Sequence, residues 1–199
     1  MKIILKILSL TIIVVGLFLF FRTKEVVHSP GIIAPNVPKQ NISKKSEEWQ
    51  KEDFNYNEIA RFEITARILS IRFYDYDDMS EFCPADIAVG WRKMSDQKII
   101  DKLDIKQQHR WYVYRINNAV IPQGEIKLNS SNIHVIPANE DIEDILDDLV
   151  KGNLVTLKGK LVNVNKIGQK WTWKTSTKRN DDGGGACEIL WTESIAIIK

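Results

Sequence analysis

Asp148-Leu149-Val150-Lys151-Gly152-Asn153-Leu154-Val155-Thr156-Leu157-Lys158-Gly159-Lys160-Leu161-Val162 holds the end of a helix, its terminator and a strand with a flaw in the middle. Upstream, Ile142, Ile145, Leu146, Leu149 and Val150 fall on one helical face behind Glu140-Asp141, whose charges favour a helix N-terminus. Acidic residues occupy the opposite face, the usual solvated side of an amphipathic helix. Gly152 ends the helix, and Leu154 to Val164 reads as a strand. Gly159 in its interior marks a bend or bulge where a sheet curls.

Working outward, two further strands follow, Lys170 to Ser176 and Cys187 to Ile198, with Trp171 and Trp173 on one face of the first. Upstream, Phe62, Ile64, Ala66 and Ile68 alternate with Glu63, Thr65 and Arg67, the period of a half-buried strand. Tyr74 to Asp78 breaks that period. Ser95 to Leu103 reads as a short helix with Ser95 as N-cap, Arg110 to Ile116 as a strand turning at Asn117-Asn118, and Asn132 to Ile136 as a strand stopped by Pro137. Five or six short strands with a helix before the last group predict a mainly β (α+β) domain. Its expected form is a small, bent β-barrel, OB-like by the resemblance of its 148–162 phrase, with one or two helices and preceded by an N-terminal transmembrane helix. Small SH3-like barrels and open α+β sheets give similar strings.

The chain has 199 residues, 44% hydrophobic and 27% charged, which excludes wholesale disorder, collagen-like repeats and a disulfide-dense scaffold. Residues 1–21 are expected as a membrane anchor, through Ile3, Ile7, Leu10, Val14, Leu17 and Phe21, with Lys6 snorkelling to the headgroups. The exit Phe20-Phe21-Arg22-Thr23-Lys24 is bulky and then charged. It therefore argues for a retained anchor over a cleaved signal, which needs small residues there. Lys2 and Lys6 favour a cytoplasmic N-terminus and an exported domain. Residues 22–55, with Pro30, Pro35 and Pro38, read as a flexible tether with a short helix near 45–53, and residues 56–199 as one extracytoplasmic domain.

Charge divides along the same lines. Residues 1–55 carry eight Lys/Arg against five Asp/Glu, and the remainder twenty against twenty-one. The overall +2 belongs to the membrane end, so the domain lacks the basic excess that nucleic-acid binding calls for.

The most unusual local stretch is Arg179-Asn180-Asp181-Asp182-Gly183-Gly184-Gly185-Ala186-Cys187-Glu188. Its glycines enter a strand, not a helix, so it is no phosphate loop. It reads as a tight connection in which Asp181 or Asp182 satisfies backbone donors. Cys187 invites a nucleophile reading with His109 or His134 as base, but a thiol at the start of an apolar strand is ordinarily inert. An exported domain also admits a Cys83–Cys187 disulfide. Asp75, Asp77 and Asp78 lack the glycine and terminal glutamate of a calcium loop and read as a solvated turn. No metal or cofactor is implied.

Several stretches resemble a group of uncharacterised, single-pass, membrane-anchored bacterial proteins. They are Phe62 to Ser70, Asp86 to Trp91 with Met94-Ser95-Asp96, Arg110-Trp111-Tyr112, Ser130, Asn132 and His134 before Ile136-Pro137-Ala138, and Trp173 through Glu188. The phrase 148–162 resembles the helix-to-strand passage of OB-like domains. The anchor and its flanking charges point to an inner-membrane protein with a periplasmic domain, and the first resemblance brings no activity with it. It directs attention to polar residues expected in loops: Arg110, Asn132, His134, Arg179, Asp181, Cys187 and Glu188 form the candidate site. Cys83 departs from the group's pattern, which weakens the disulfide. The leading expectation is a non-enzymatic binding or assembly module of the bacterial envelope, touching the lipid bilayer through its helix and an envelope protein through its domain. The alternatives are an enzyme or small-ligand binder at the polar loop site, and an OB-like oligonucleotide binder stacking bases on Trp111, Trp171 or Trp173.

Overall fold

The computed structural model describes residues 25–117, 121–179, 181, 183 and 185–198. The expected anchor lies outside the described residues. No helix among the described residues is long and apolar enough to cross a membrane.

The structure is mainly β. Among the described residues ten strands form, β1 (Lys39–Ile42), β2 (Glu48–Lys51), β3 (Phe54–Phe73), β4 (Ala85–Gly90), β5 (Leu103–Gln108), β6 (Trp111–Ile116), β7 (Ser130–Pro137), β8 (Leu154–Lys166), β9 (Thr172–Trp173) and β10 (Glu188–Ile198). Three short helices interleave with them, α1 (Gln97–Ile100), α2 (Gln123–Leu128) and α3 (Glu140–Asp147), and a 3-10 turn spans Arg92–Ser95.

Strand β3 organises the sheet. One edge pairs with β8 from Phe54 to Arg67, while the other receives β2, then β1, then β4. β4 pairs with β7, β7 lies parallel to β10, and β10 returns antiparallel to β8. Five strands thus follow one another round a closed ring, β3-β4-β7-β10-β8 and back to β3. The expected alternation on β3 is realised, with Phe62, Ile64, Ala66 and Ile68 all in the central core. Ile133 and Val135 of β7, Leu157 and Leu161 of β8, and Ile142 and Leu146 of α3 meet them there.

Gly159 explains how the ring curls. A Cβ at this position would sit 1.9 Å from Trp191 O, so β10 can approach only over a glycine. The register of β10 slips between Thr192 and Ser194, directly beside that contact. Asn139 caps α3, accepting from the Ile142 amide at 3.1 Å. Gly152, beyond the helix, takes φ +92°.

Residues 25–53 differ from the expected tether. Val26 N–H donates to Lys151 O (2.9 Å), Gly31 N–H to Asp96 Oδ1 (2.9 Å), and the amides of Ile33 and Ala34 to Ser95 Oγ (3.1 and 3.0 Å). The prolines suit this extended strap, since its backbone bonds come from other residues. The short helix near 45–53 is instead β2. Trp49 turns inward to stack on Tyr56 at 5.6 Å and to meet Trp191 edge-on at 5.1 Å, an arrangement that an edge strand on β3 supplies.

Two other elements depart from expectation. The helix read over Ser95–Leu103 shrinks to α1, because Ser95 Oγ is engaged by the strap and Asp96 is the residue that caps it, accepting from Lys98 N–H. The strand read over Lys170–Ser176 reduces to β9, with side chains taking over the bonding: Thr175 N–H donates to Asn163 Oδ1 (3.0 Å) and Thr175 Oγ1 accepts from Ile189 N–H (2.9 Å). Trp171 and Trp173 pack with Phe82, Phe54 and Ile189 in a second apolar cluster.

Candidate functional site

The glycine-rich connection before β10 doubles back on itself. Gly183 and Gly185 take φ of +77° and +90°, and Ala186 N–H donates to Gly183 O at 3.1 Å. This reversal brings the Arg179 guanidinium onto the Glu188 carboxylate at the start of β10. Glu188 is 1% exposed and also accepts from Ser131 Oγ of β7. Burial raises its carboxyl above the ordinary 4.5, against the opposing pull of Arg179 and Ser131. Arg179 further donates to Gln40 Oε1 on β1 and lies over the Phe62 ring, 5.5 Å from its centroid. Asp181 accepts from Ser176 Oγ at 2.6 Å.

Beside this ion pair opens a cleft of ≈ 190 Å³. Strand β6 lines it with Trp111, Tyr112 and Tyr114, and β7 with Ser130, Ser131 and Asn132. The glycine-rich connection contributes Lys178, Arg179, Asp181, Gly183 and Ala186, then Cys187 and Glu188; Lys127 of α2 completes the lining. Tyr112 and Tyr114 stack with centroids 6.0 Å apart, and the Tyr112 hydroxyl meets Ser130 Oγ at 2.7 Å.

A buried polar cluster adjoins the cleft. Asn132 Nδ2 donates to Arg110 O (3.2 Å) and contacts Cys187 Sγ (3.7 Å). Arg110 grips Asp77 with two bonds, Nε to Oδ2 (2.8 Å) and Nη2 to Oδ1 (2.6 Å), while Nη1 reaches Cys83 O (2.8 Å) and Asp86 Oδ1 (3.3 Å). Burial alone would depress the guanidinium, but the Asp77 bonds and the nearby negative charges hold it above its ordinary value. His134 Nδ1 meets the same Asp86 Oδ1 at 2.7 Å, and its ring lies 4.4 Å from that of Trp173. The Arg110 guanidinium lies over the Tyr74 ring, 3.8 Å from its centroid.

Arg110 reaches this cluster from an unusual backbone. His109 and Arg110 join β5 to β6 with φ of +51° and +63°, a two-residue hairpin link of the kind that asparagine and glycine normally supply. The buried ionic fork opposes the strain of two side chains held in the left-handed region.

Five of the seven expected residues therefore converge on one cleft: Asn132, Arg179, Asp181, Cys187 and Glu188. Arg110 and His134 belong to the adjoining cluster and join it through Asn132. Three do not lie in loops as expected: Asn132 and His134 are on β7, and Glu188 opens β10. The Asp75–Asp78 segment is not simply solvated, since Asp77 is the principal partner of Arg110. Asp86, Ser130, Ser131 and the β6 tyrosines were absent from the candidate set. Asp86 carries a signal of its own, a lone carboxylate in the apolar run Ala85-Asp86-Ile87-Ala88-Val89.

Cys83 and Cys187 are buried free thiols, so the possible disulfide is not formed. Burial pushes the Cys187 thiol up to about 12, with Asn132 pulling weakly the other way, and pushes Cys83 well above its ordinary value. A thiol so placed stays protonated near neutrality and is a poor nucleophile. Of its expected bases, His134 is engaged by Asp86, and His109 stands exposed at the hairpin tip. Among the described residues no three His, Cys, Asp or Glu side chains group as a metal ion requires.

Comparison with family models, curated protein sequences and solved structures yields no match to this chain.

Proposed function

We propose that this chain is a non-enzymatic binding module of the bacterial envelope, held to the inner membrane by residues 3–21 and binding a small polar ligand in the cleft between β6 and the Arg179–Glu188 turn. The observation that carries this reading is the convergence of Asn132, Arg179, Asp181, Cys187 and Glu188 on one cleft faced by aromatic rings. Aromatic surface with a few placed polar groups is the ordinary make-up of a small-molecule site. The protonated thiol of Cys187 supports binding over covalent catalysis.

We read the strand ring as an OB-like barrel. Its order β3-β4-β7-β10-β8, the parallel β7/β10 pair and a helix between β7 and β8 support that reading. In such barrels the face of the second and third strands and the loop before the last strand carry ligands. Here those parts are β4, β7 and the Arg179–Glu188 connection, with the β5–β6 hairpin inserted between β4 and β7.

The test is a thermal-shift survey on the full chain in detergent. Its panel contains sugars, amino sugars, small dicarboxylates, mononucleotides and an eight-residue thymidine oligonucleotide. A ligand present at 100 times its Kd stabilises by about 2.7 kcal/mol. The expected result is a rise in Tm with one small-molecule class that Trp111→Ala and Arg179→Met each abolish. A rise confined to the oligonucleotide would replace this reading with base stacking on Trp111, the cleft tryptophan, which is 38% exposed. A rise that survives both substitutions would overturn the assignment of the cleft.

A further inference from the structure

We infer that the pole of the domain formed by Val26, α1 and the Lys151-Gly152 turn faces the lipid headgroups at close range. The inference rests on the anchor reading, and it follows from how little chain is left between anchor and domain. The apolar segment ends at Phe21, and the domain already holds Val26, whose amide donates to Lys151 O at 2.9 Å.

The hold is firm. Gly152 has no side chain because a Cβ there would stand 1.8 Å from Val26 O. His28 adds two bonds, its backbone N–H to Gln97 Oε1 (3.1 Å) and its Nε2 to Gly152 O (2.7 Å), and Glu25 pairs with Lys151 at 2.8 Å.

Five residue steps from Phe21 to Val26 span at most about 18 Å when fully extended. The headgroup layer takes up about 6 Å of that on each side of the hydrocarbon core. About 12 Å remains, less than the roughly 15 Å radius of gyration of a domain this size. The domain therefore cannot roll over to present its opposite end.

The surface of this pole carries exposed apolar side chains and charges of both signs. Val27 and Ile32 on the strap are 71% and 50% exposed, and Lys98 and Lys102, in and just after α1, are exposed beside the equally exposed Glu25 and Asp101. Exposed apolar side chains flanked by lysines settle into a headgroup layer, with the lysines reaching toward phosphates. The far end of the domain is marked by Ile167, just past β8, which begins at Leu154 beside this pole, and by Gln50, opposite Asn55, itself opposite Asn165.

The test uses the full chain in vesicles of zwitterionic and anionic phospholipid carrying a headgroup nitroxide. Val27→Cys, Lys98→Cys, Gln50→Cys and Ile167→Cys are each labelled with a fluorophore, the two native thiols being buried. Quenching at positions 27 and 98 is expected to exceed that at 50 and 167 at least threefold. A 20-residue Gly/Ser insertion between Lys24 and Glu25, with an r.m.s. span of about 25 Å, should erase that contrast while the chain still floats with the vesicles. A floating chain quenched equally at all four positions overturns this inference alone. A chain that does not float overturns the anchor, and this inference with it.

Discussion

Arg179 and Glu188 stand on opposite sides of the glycine-rich turn and close it as an ion pair, with the carboxylate buried and the guanidinium at the rim of the cleft. One contact thus fixes the turn that shapes the cleft and ties it to the first residue of the last strand.

The pH dependence of stability should show two opposed limbs. Burial raises the Glu188 carboxyl, so its contribution is full below the unfolded value near 4.5 and is lost as pH rises through the raised value. Asp77 is lowered by its Arg110 bonds, so its contribution is present above the unfolded value near 3.8 and is lost as pH falls through the depressed one. Urea midpoints taken across pH 3 to 8 should show Glu188→Gln removing the first limb and Asp77→Asn the second. Equal profiles for wild type and both variants would refute the assignment.

Removing the Arg110 guanidinium leaves Asp86 buried and Asp77 without its main partner. Arg110→Met is expected to cost about 3–5 kcal/mol by denaturant titration, as for other broken buried pairs. His109→Asn, in contrast, keeps the fork and suits the left-handed backbone better, and should stabilise by about 0.5 kcal/mol. A destabilised His109→Asn would mean that the imidazole has a role the hairpin geometry does not require.

Glycine positions should separate sharply. Gly152→Ala would place a methyl against Val26 O and is expected to cost about 3 kcal/mol and to release the strap, seen as faster amide exchange at Val26. Gly183→Ala meets open space, and only its positive φ opposes it, so about 1 kcal/mol is expected. Similar costs for the two would show that the strap contact contributes nothing.

Both thiols should be silent in the native protein. A disulfide reagent at pH 8 is expected to titrate fewer than 0.2 thiols in minutes (roughly, for buried groups of raised pKa) and two after denaturation. Cys187→Ser should leave ligand affinity within about threefold, whereas a nucleophilic role would abolish activity.

Much of this was legible along the chain wherever periodicity was strong. The alternation at Phe62–Ile68, the apolar face of α3 and the mid-strand Gly159 each announced an element that formed. The strap was not legible, because its hydrogen bonds go to Lys151, Asp96 and Ser95, and nothing local to residues 25–38 encodes partners so far away. β2 replaces the expected short helix because Lys44 to Asp53 is polar enough for a helix surface, while its strand form depends on the free edge of β3. At the site, Cys187 and Glu188 stood out beside the glycines. Arg110 was marked too, but its partners Asp77 and Asp86 were not, since the cluster joins a hairpin tip, a loop and a central strand.

The last strand, β10, lies between β7 and β8, both made earlier, and it is the piece that shuts the ring. Until Glu188–Ile198 has left the ribosome, those two neighbours present bare edges to whatever surrounds them. The ring therefore cannot close in stages; it shuts only once Glu188–Ile198 pairs with both neighbours. A stop codon ahead of Glu188 would yield an open, adhesive sheet in place of a shortened but sound protein.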